Sequence, residues 1–419
     1  MFQKTIIVGI VGVLVCVLSG CSVTEPPASL IKKPHLTENK AAIQTAVKEN
    51  MPKKAKLIAP LDSKHKEKII LSDLDHDGHK EVIFFYTDGY SPVHVAVLKQ
   101  TGHKWKKEVD YKSDSQNIDD FILKDVTHDH KPELLVGYRH DAYDETGFTY
   151  PDNKLAVYQF KDKKLKEIMK TKYSNVVVND LNQDGQNDVT IVYNKKRKEA
   201  SAAVYQYNNG KMQKLSALKL DPNVNGYLSV KVGNISEKKK GLVIDAGVGA
   251  HSSFTHLFYF KGGKLVSYKE NDKLFNPNTM ESKDANHDGI IDIGFSVTPK
   301  GWEDEAYAFV PFLTEYKEWS PSGLHLIQES YDNYGLSLSI VFPKKWQNNV
   351  TIKRGSLKHH ITFITKNKQE TLLKVYWFKK NKWHESEKWI KAGESDEYVY
   401  AVPNIDKYKK YINAIHVID

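Results

Sequence analysis

Ile70-Leu71-Ser72-Asp73-Leu74-Asp75-His76-Asp77-Gly78-His79-Lys80-Glu81-Val82-Ile83-Phe84 sets an acidic loop between two apolar runs, and the same plan recurs along the chain. Leu123 to Val136 repeats it around Asp125, Val178 to Ile191 around Asp180, and Ser282 to Phe295 around Asp284. Val230 to Asp245 is a degenerate copy with Gly233-Asn234-Ile235 where the acids should be. The copies lie about 50 to 55 residues apart, and each is followed by a further β-rich run such as Val93 to Leu98 or Ala202 to Tyr207. A period near 50 with about four short strands per copy is what β-propeller blades require. A lone blade would expose its apolar faces, and stacking covers them. The expected fold is therefore mainly β: a propeller of about five blades over 54–331, with the strand at Leu57-Ile58 completing the last blade and closing the ring.

The loops, of the form Asp-x-Asp/Asn-x-Asp-Gly-x-x-Asp/Glu before an apolar strand, resemble the FG-GAP or VCBS-type repeats of integrin-α-like propellers over roughly 69–297. The resemblance implies calcium, with side-chain oxygens from loop positions 1, 3, 5 and 9 and a backbone carbonyl from position 7. In the first loop these are Asp73, Asp75, Asp77, the His79 carbonyl and Glu81. In the third they are Asp180, Asn182, Asp184, the Gln186 carbonyl and Asp188. In the fifth they are Asp284, Asn286, Asp288, the Ile290 carbonyl and Asp292. The chemistry agrees, because calcium takes six to eight hard oxygens, glycine at position 6 permits a sharp turn, and crowded carboxylates without a cation repel. The second loop has Thr127 at position 3 and His130 at position 6, so Asp125, Asp129 and Glu133 form a poorer site; the fourth copy should bind nothing. An EF-hand needs an acid at position 12, where this chain has Phe84, Val136, Ile191 and Phe295. In a propeller such ions brace the turns, so calcium is expected to be structural.

The N-terminus has its own plan. Lys4 precedes an apolar run from Thr5 to Leu18, too short for the roughly twenty residues a spanning helix needs. Leu18-Ser19-Gly20-Cys21 resembles the lipobox of bacterial lipoproteins, which implies removal of 1–20 as a signal peptide and lipidation of Cys21. Cys16 would be discarded with the signal, leaving no disulfide within the mature chain. Residues 21–53 read as a lipidated tether with Pro26-Pro27 and Pro34, then a short helix over 38–50 behind an N-cap at Thr37. The expected location is the extracytoplasmic face of the cell membrane, held by the lipid. The net charge of +9 comes from lysines spread along the chain, and runs such as Lys238-Lys239-Lys240 sit in loop-like stretches without a nucleic-acid motif, so nucleic acid is not an expected partner.

Neither His359-His360 nor His251 with His256 has zinc spacing, and there is no Gly-x-Ser-x-Gly elbow or Walker loop. Beyond the repeats, 332–419 read as a small α+β domain, with helices over 382–391 and 407–415 and four tryptophans, Trp346, Trp377, Trp383 and Trp389. These read as core, with a ligand platform as the alternative. The function expected is non-catalytic: a binding, adhesion or envelope-scaffold lipoprotein with a protein or wall-polymer partner. The alternative is an extracytoplasmic hydrolase acting on polysaccharide.

Overall fold

The structure, a computed structural model, describes residues 38–418 apart from 62–66, 91, 144–146, 148 and 356. Cys21, the signal segment and the N-cap Thr37 lie outside the described residues.

The chain is mainly β and forms successive antiparallel sheets, each built almost entirely from one stretch of sequence. The first orders Lys56–Ile58, Glu81–Thr87, His94–Thr101 and Lys104–Lys112, with Ile69–Ser72 also on Glu81–Thr87. The second orders Lys164–Lys172, Lys154–Lys161, Glu133–Arg139 and Asn117–Lys124; the third Asn175–Asn179, Asp188–Lys195, Glu199–Asn208 and Lys211–Lys219. The fourth runs Gly226–Ser236, Lys239–Val248, Ser252–Lys261 and Lys264–Ser267, and the fifth begins Ile293–Val297, Leu313–Ser320, Gly323–Asn333. In the first three sheets the strand after each acidic loop is unusually apolar. Residues 81–86, 133–138 and 188–192 are buried without a break, because such a strand is covered on both faces, by neighbouring sheets or, on one face of the first sheet, by a helix. A strand such as Lys104–Lys112, at the rim, instead mixes exposed lysines with half-buried residues.

Apolar cores join neighbours in series. Ile83, Phe85 and Val97 meet Phe121, Val136 and Tyr158 between the first two sheets, and Leu135 and Val157 meet Val189 and Ile191 between the next two. Val192 and Val204 meet Leu242 and Ile244, and Ile235 and Leu257 meet Ile293 and Trp319. Both ends of the series are covered. On the first sheet, Val82, Phe84 and Leu98 pack under the helix Glu38–Glu49, whose Ile43, Ala46 and Val47 form one apolar stripe at helical spacing. Beyond the fifth sheet, Leu313, Tyr331 and Ile340 share a core with Ile361, Phe363, Val375 and Tyr400 of a sixth.

Three expectations need correction. The strand at Leu57-Ile58 does not close a ring: Lys56–Ile58 pairs with Glu81–Thr87 of its own sheet, Leu57 opposite Tyr86. The boundary at 331/332 falls inside Gly323–Asn333, and Leu338–Val341 and Ile415–Val417 complete the fifth sheet from beyond it. The helix expected over 382–391 is absent, and that over 407–415 is broken into two short pieces. Trp389–Glu394 is instead the edge strand of a five-stranded sheet with Val350–Ile352, His360–Thr365, Thr371–Lys379 and Tyr398–Pro403. The strand pairing and the packing of Trp389 on Tyr376 and Phe378 outweigh the helix-favouring composition before it. The second expected helix becomes an α-helix at Asp406–Lys409 and a 3-10 turn at Ile412–Ala414, with Tyr408 and Tyr411 entering the core. The C-terminal region is thus mainly a β-sheet with short helical turns.

Candidate metal centres

Each acidic loop is shaped by its backbone before any ligand enters. Positions 4 and 6 both take positive φ: His76 and Gly78 at 61° and 86°, Gln183 and Gly185 at 66° and 91°, His287 and Gly289 at 63° and 85°. The second loop has the same shape although position 6 is not glycine, with His128 at 61° and His130 at 65°. This double left-handed turn folds the loop around its position-1 carboxylate. Asp73 accepts from the N–H groups of Asp77 and Gly78 at 3.2 and 2.9 Å, Asp180 from those of Asp184 and Gly185, and Asp284 from those of Asp288 and Gly289. Asp125 accepts from the N–H groups of His128 and His130.

Position 5 accepts from the N–H of position 7: His79 to Asp77, Lys131 to Asp129, Gln186 to Asp184 and Ile290 to Asp288, all at 2.9–3.0 Å. Position 3 contributes Asp75, Thr127, Asn182 and Asn286; the last two donate to Asp184 and Asp288 at 2.9 and 2.7 Å.

Position 9 is the deepest group. Glu81, Asp188 and Asp292 are fully buried and Glu133 almost so. One oxygen of each turns back to cap the loop: Leu74 N–H donates to Glu81 at 2.8 Å, Leu181 to Asp188 and Ala285 to Asp292 at 2.9 Å. In three loops the other oxygen, Glu81 Oε1, Asp188 Oδ1 or Asp292 Oδ1, is buried with no hydrogen-bond partner, which for a carboxylate is costly unless a cation faces it. Burial, reinforced by Asp184 and Asp180, pushes the Asp188 carboxyl up to about 6. Burial with Asp288, Asp284 and Glu318 does the same for Asp292. Glu133 is pushed to about 7 by burial, yet both its oxygens are satisfied, one by Val126 and Thr127 N–H and the other by the Thr127 hydroxyl at 3.1 Å. In the first loop the Lys99 ammonium contacts Asp75, Asp77 at 2.7 Å and Glu81 at 3.3 Å. Among the described residues, the one set of three potential ligands whose atoms lie within 4.8 Å of each other is Asp73, Asp75 and Glu81 of this loop. The fourth copy has no loop, since Ser236 pairs with Lys239 across a tight hairpin.

Sequence reasoning missed Lys99, because only strand pairing brings it to the loop. It also missed that the loops touch one another. His76 Nδ1 lies 2.9 Å from the His130 carbonyl oxygen, and Asn187 donates to Asp125 O at 2.7 Å. Gln183 donates to Lys238 O at 3.1 Å, and Ile291 N–H donates to Asn234 O at 2.7 Å. The four loops and the hairpin therefore form one continuous row.

Two other regions can receive a ligand. A cavity of about 370 Å³ lies where strands of the second to fourth sheets converge with Glu281, lined by Asp119, Tyr173, Leu228 and Lys231. Tyr173 donates to Asp119 at 2.7 Å, and Lys231 to Ser282 O at 2.8 Å. On the C-terminal sheet Trp346 is core, whereas Trp383 and Trp389 join Tyr376 and Phe378 in a half-buried aromatic strip, with His360 stacked on Tyr376. His251 stacks on Tyr307, and His256 lies between Phe254 and Phe258. No helix among the described residues is long and apolar enough to cross a membrane.

No protein-family model matches the chain, and no curated protein matches it. Among solved structures, the chain is similar to the exotype rhamnogalacturonan lyase YesX, at 10% identity and a TM-score of 0.25 over 76% of this chain and 74% of that one. It is similar to the Bacillus licheniformis rhamnogalacturonan lyase PL11 at 11% identity and a TM-score of 0.31, over 84% and 73% of the two chains. A protein from Lactobacillus plantarum gives 11% identity and a TM-score of 0.30, over 73% and 83%.

Proposed function

We propose that this chain is a non-catalytic, extracytoplasmic binding lipoprotein, anchored through Cys21, whose sheets form a propeller-like array braced by calcium. The observation that carries the reading is the set of buried oxygens without a hydrogen bond, Glu81 Oε1, Asp188 Oδ1 and Asp292 Oδ1, each set inside the same preformed acidic turn. A hard divalent cation satisfies such an oxygen together with the neighbouring carboxylates. The row of touching loops supports a bracing role, since an ion in one loop stiffens the contact to the next sheet. The convergence of three sheets on one cavity supports the radial arrangement. The half-buried strip of Tyr376, Phe378, Trp383 and Trp389 is the surface suited to a protein or wall-polymer partner, because aromatic faces bind sugar rings and apolar side chains alike.

The test is thermal unfolding of the full chain in detergent, with calcium titrated against excess chelator. A melting temperature that rises with calcium supports the reading. No change at millimolar calcium, where weak extracellular sites fill, sinks it. Binding is read separately, by co-sedimentation with purified cell walls: Trp383→Ala with Trp389→Ala should reduce it without moving the melting temperature.

A further inference from the structure

One position on the neighbouring strand faces every acidic loop. Val82 pairs with Leu98, Leu134 with Tyr158, Val189 with Tyr205 and Ile293 with Lys317. One step further along each pair, position 9 of the loop meets Lys99, Gln159, Gln206 or Glu318. The contacts follow the register. Lys99 Nζ, Gln159 Nε2 and Gln206 Nε2 all donate to Oδ2 of the position-5 aspartate, at 2.7, 3.2 and 2.6 Å to Asp77, Asp129 and Asp184. The loops are thus alike in backbone and in the direction from which a cross-strand side chain enters, and they differ in its charge.

We infer that this cross-strand residue decides which loops take a metal: Lys99 supplies the first loop with its own cation and excludes calcium, while the third and fifth loops, facing Gln206 and Glu318, bind it. The inference rests on the calcium reading of the loops and refines it.

Three observations carry it. The Lys99 ammonium touches side chains from positions 3, 5 and 9 at once, which is where a metal would have to sit. Asp73, Asp75 and Glu81 of the first loop offer oxygens within 4.8 Å of one another, a grouping that suits an ammonium or a metal ion, and Lys99 is the cation found there. Among the described residues, no lysine makes such a three-way contact in the third and fifth loops; Lys240 comes only to 4.0 Å from Asp180. The position-9 oxygens Glu81 Oε1, Asp188 Oδ1 and Asp292 Oδ1 are all buried without a hydrogen bond, and only the first has an ammonium facing it, Lys99 at 3.3 Å. The second loop needs no cation, because the Thr127 hydroxyl and the two N–H groups satisfy Glu133. The expected stoichiometry is therefore two calcium ions per chain, with the tighter site in the fifth loop, where Glu318 adds a carboxylate.

The experiment is equilibrium dialysis of the full chain in detergent against calcium, with bound metal counted by mass spectrometry. Wild type should bind two ions, and Asp75→Ala should still bind two. Lys99→Gln, which copies the residue of the second and third loops, should bind three, and Lys99→Gln with Asp75→Ala, which removes the position-3 oxygen that Asn182 and Asn286 keep in the other two loops, should return to two. Glu318→Gln should weaken the tighter site about tenfold. Lys99→Met is the second variant if Lys99→Gln does not fold, as judged by circular dichroism. Loss of an ion from Asp75→Ala in the wild-type background overturns the inference, because Lys99 would then coexist with a metal. Two ions in wild type and still two in both Lys99 variants overturns it alone and leaves the calcium reading standing. No calcium in any variant overturns both.

Discussion

Asn187 Nδ2 donates a 2.7 Å hydrogen bond to the carbonyl oxygen of Asp125, so the third acidic loop is fastened to the first ligand position of the second. The bond spans two sheets and belongs to neither ladder. Asn187→Ala should therefore cost about 1 kcal/mol, the usual net value of one hydrogen bond, measured by chemical denaturation. An unchanged midpoint would mean that the loop row contributes nothing to sheet-to-sheet cohesion.

Asp188 is expected to reverse its effect with calcium. Asp188→Asn keeps an acceptor for the Leu181 N–H and removes a charge that Asp184 and Asp180 oppose. In chelator the variant should melt at or above the wild-type temperature. In calcium at about a hundred times Kd, wild type gains about 2.7 kcal/mol per filled loop, and the variant should fall behind by about that amount. A variant that trails equally in both conditions would place Asp188 outside any cation site.

His130 occupies the turn position that the other acidic loops give to glycine, with φ at 65°. Glycine takes this conformation without the Cβ clash. His130→Gly should stabilise the chain by about 0.5–1 kcal/mol, the remainder being lost to the freer unfolded chain. A lower melting temperature would show that the His76 contact to the His130 carbonyl depends on the side chain.

Gly137 makes room for another contact. A Cβ placed there would lie 1.9 Å from Tyr173 Oη, which reaches past it to Asp119. Gly137→Ala should push the tyrosine out of the central cavity and cost about 1–3 kcal/mol, as overpacking usually does. Wild-type stability in this variant would show that the ring moves freely.

His256 gives the acid limit a definite sign. Burial between Phe254 and Phe258 lowers its pKa from 6.5 to about 4. Between those values the unfolded chain binds more protons than the folded one, so stability rises with pH in that window and is lost on acidification. His256→Gln should flatten that part of the stability profile relative to wild type. Equal slopes in the two proteins would refute the assignment.

Much of this was legible in the sequence, and the division has a physical cause. The acidic turns are local: glycine at position 6 and acids at alternate positions encode the same geometry wherever they occur, so the repeats and the sheets that follow could be located from spacing alone. Lys99 could not be, since it reaches Asp75 only through the pairing of two strands. The division of labour among the loops was hidden for the same reason, because Thr127 and Glu318 matter through what they face. The region after Asn333 misled by composition. Lys382 to Lys391 favours a helix residue by residue, but Trp389 has aromatic partners on a sheet and follows them.

The covering of both ends of the array has a consequence for how such a molecule can change over evolutionary time. An additional copy cannot be appended outside the helix Glu38–Glu49, whose outward positions, among them Lys40, Gln44, Lys48 and Glu49, are exposed and polar. Growth at that end must occur by duplication inside the array, between two sheets that already receive a neighbour. The same covers keep separate molecules apart: stripped of Ile43, Ala46 and Val47, the first sheet would offer Val82, Phe84 and Leu98 to any other β-surface nearby.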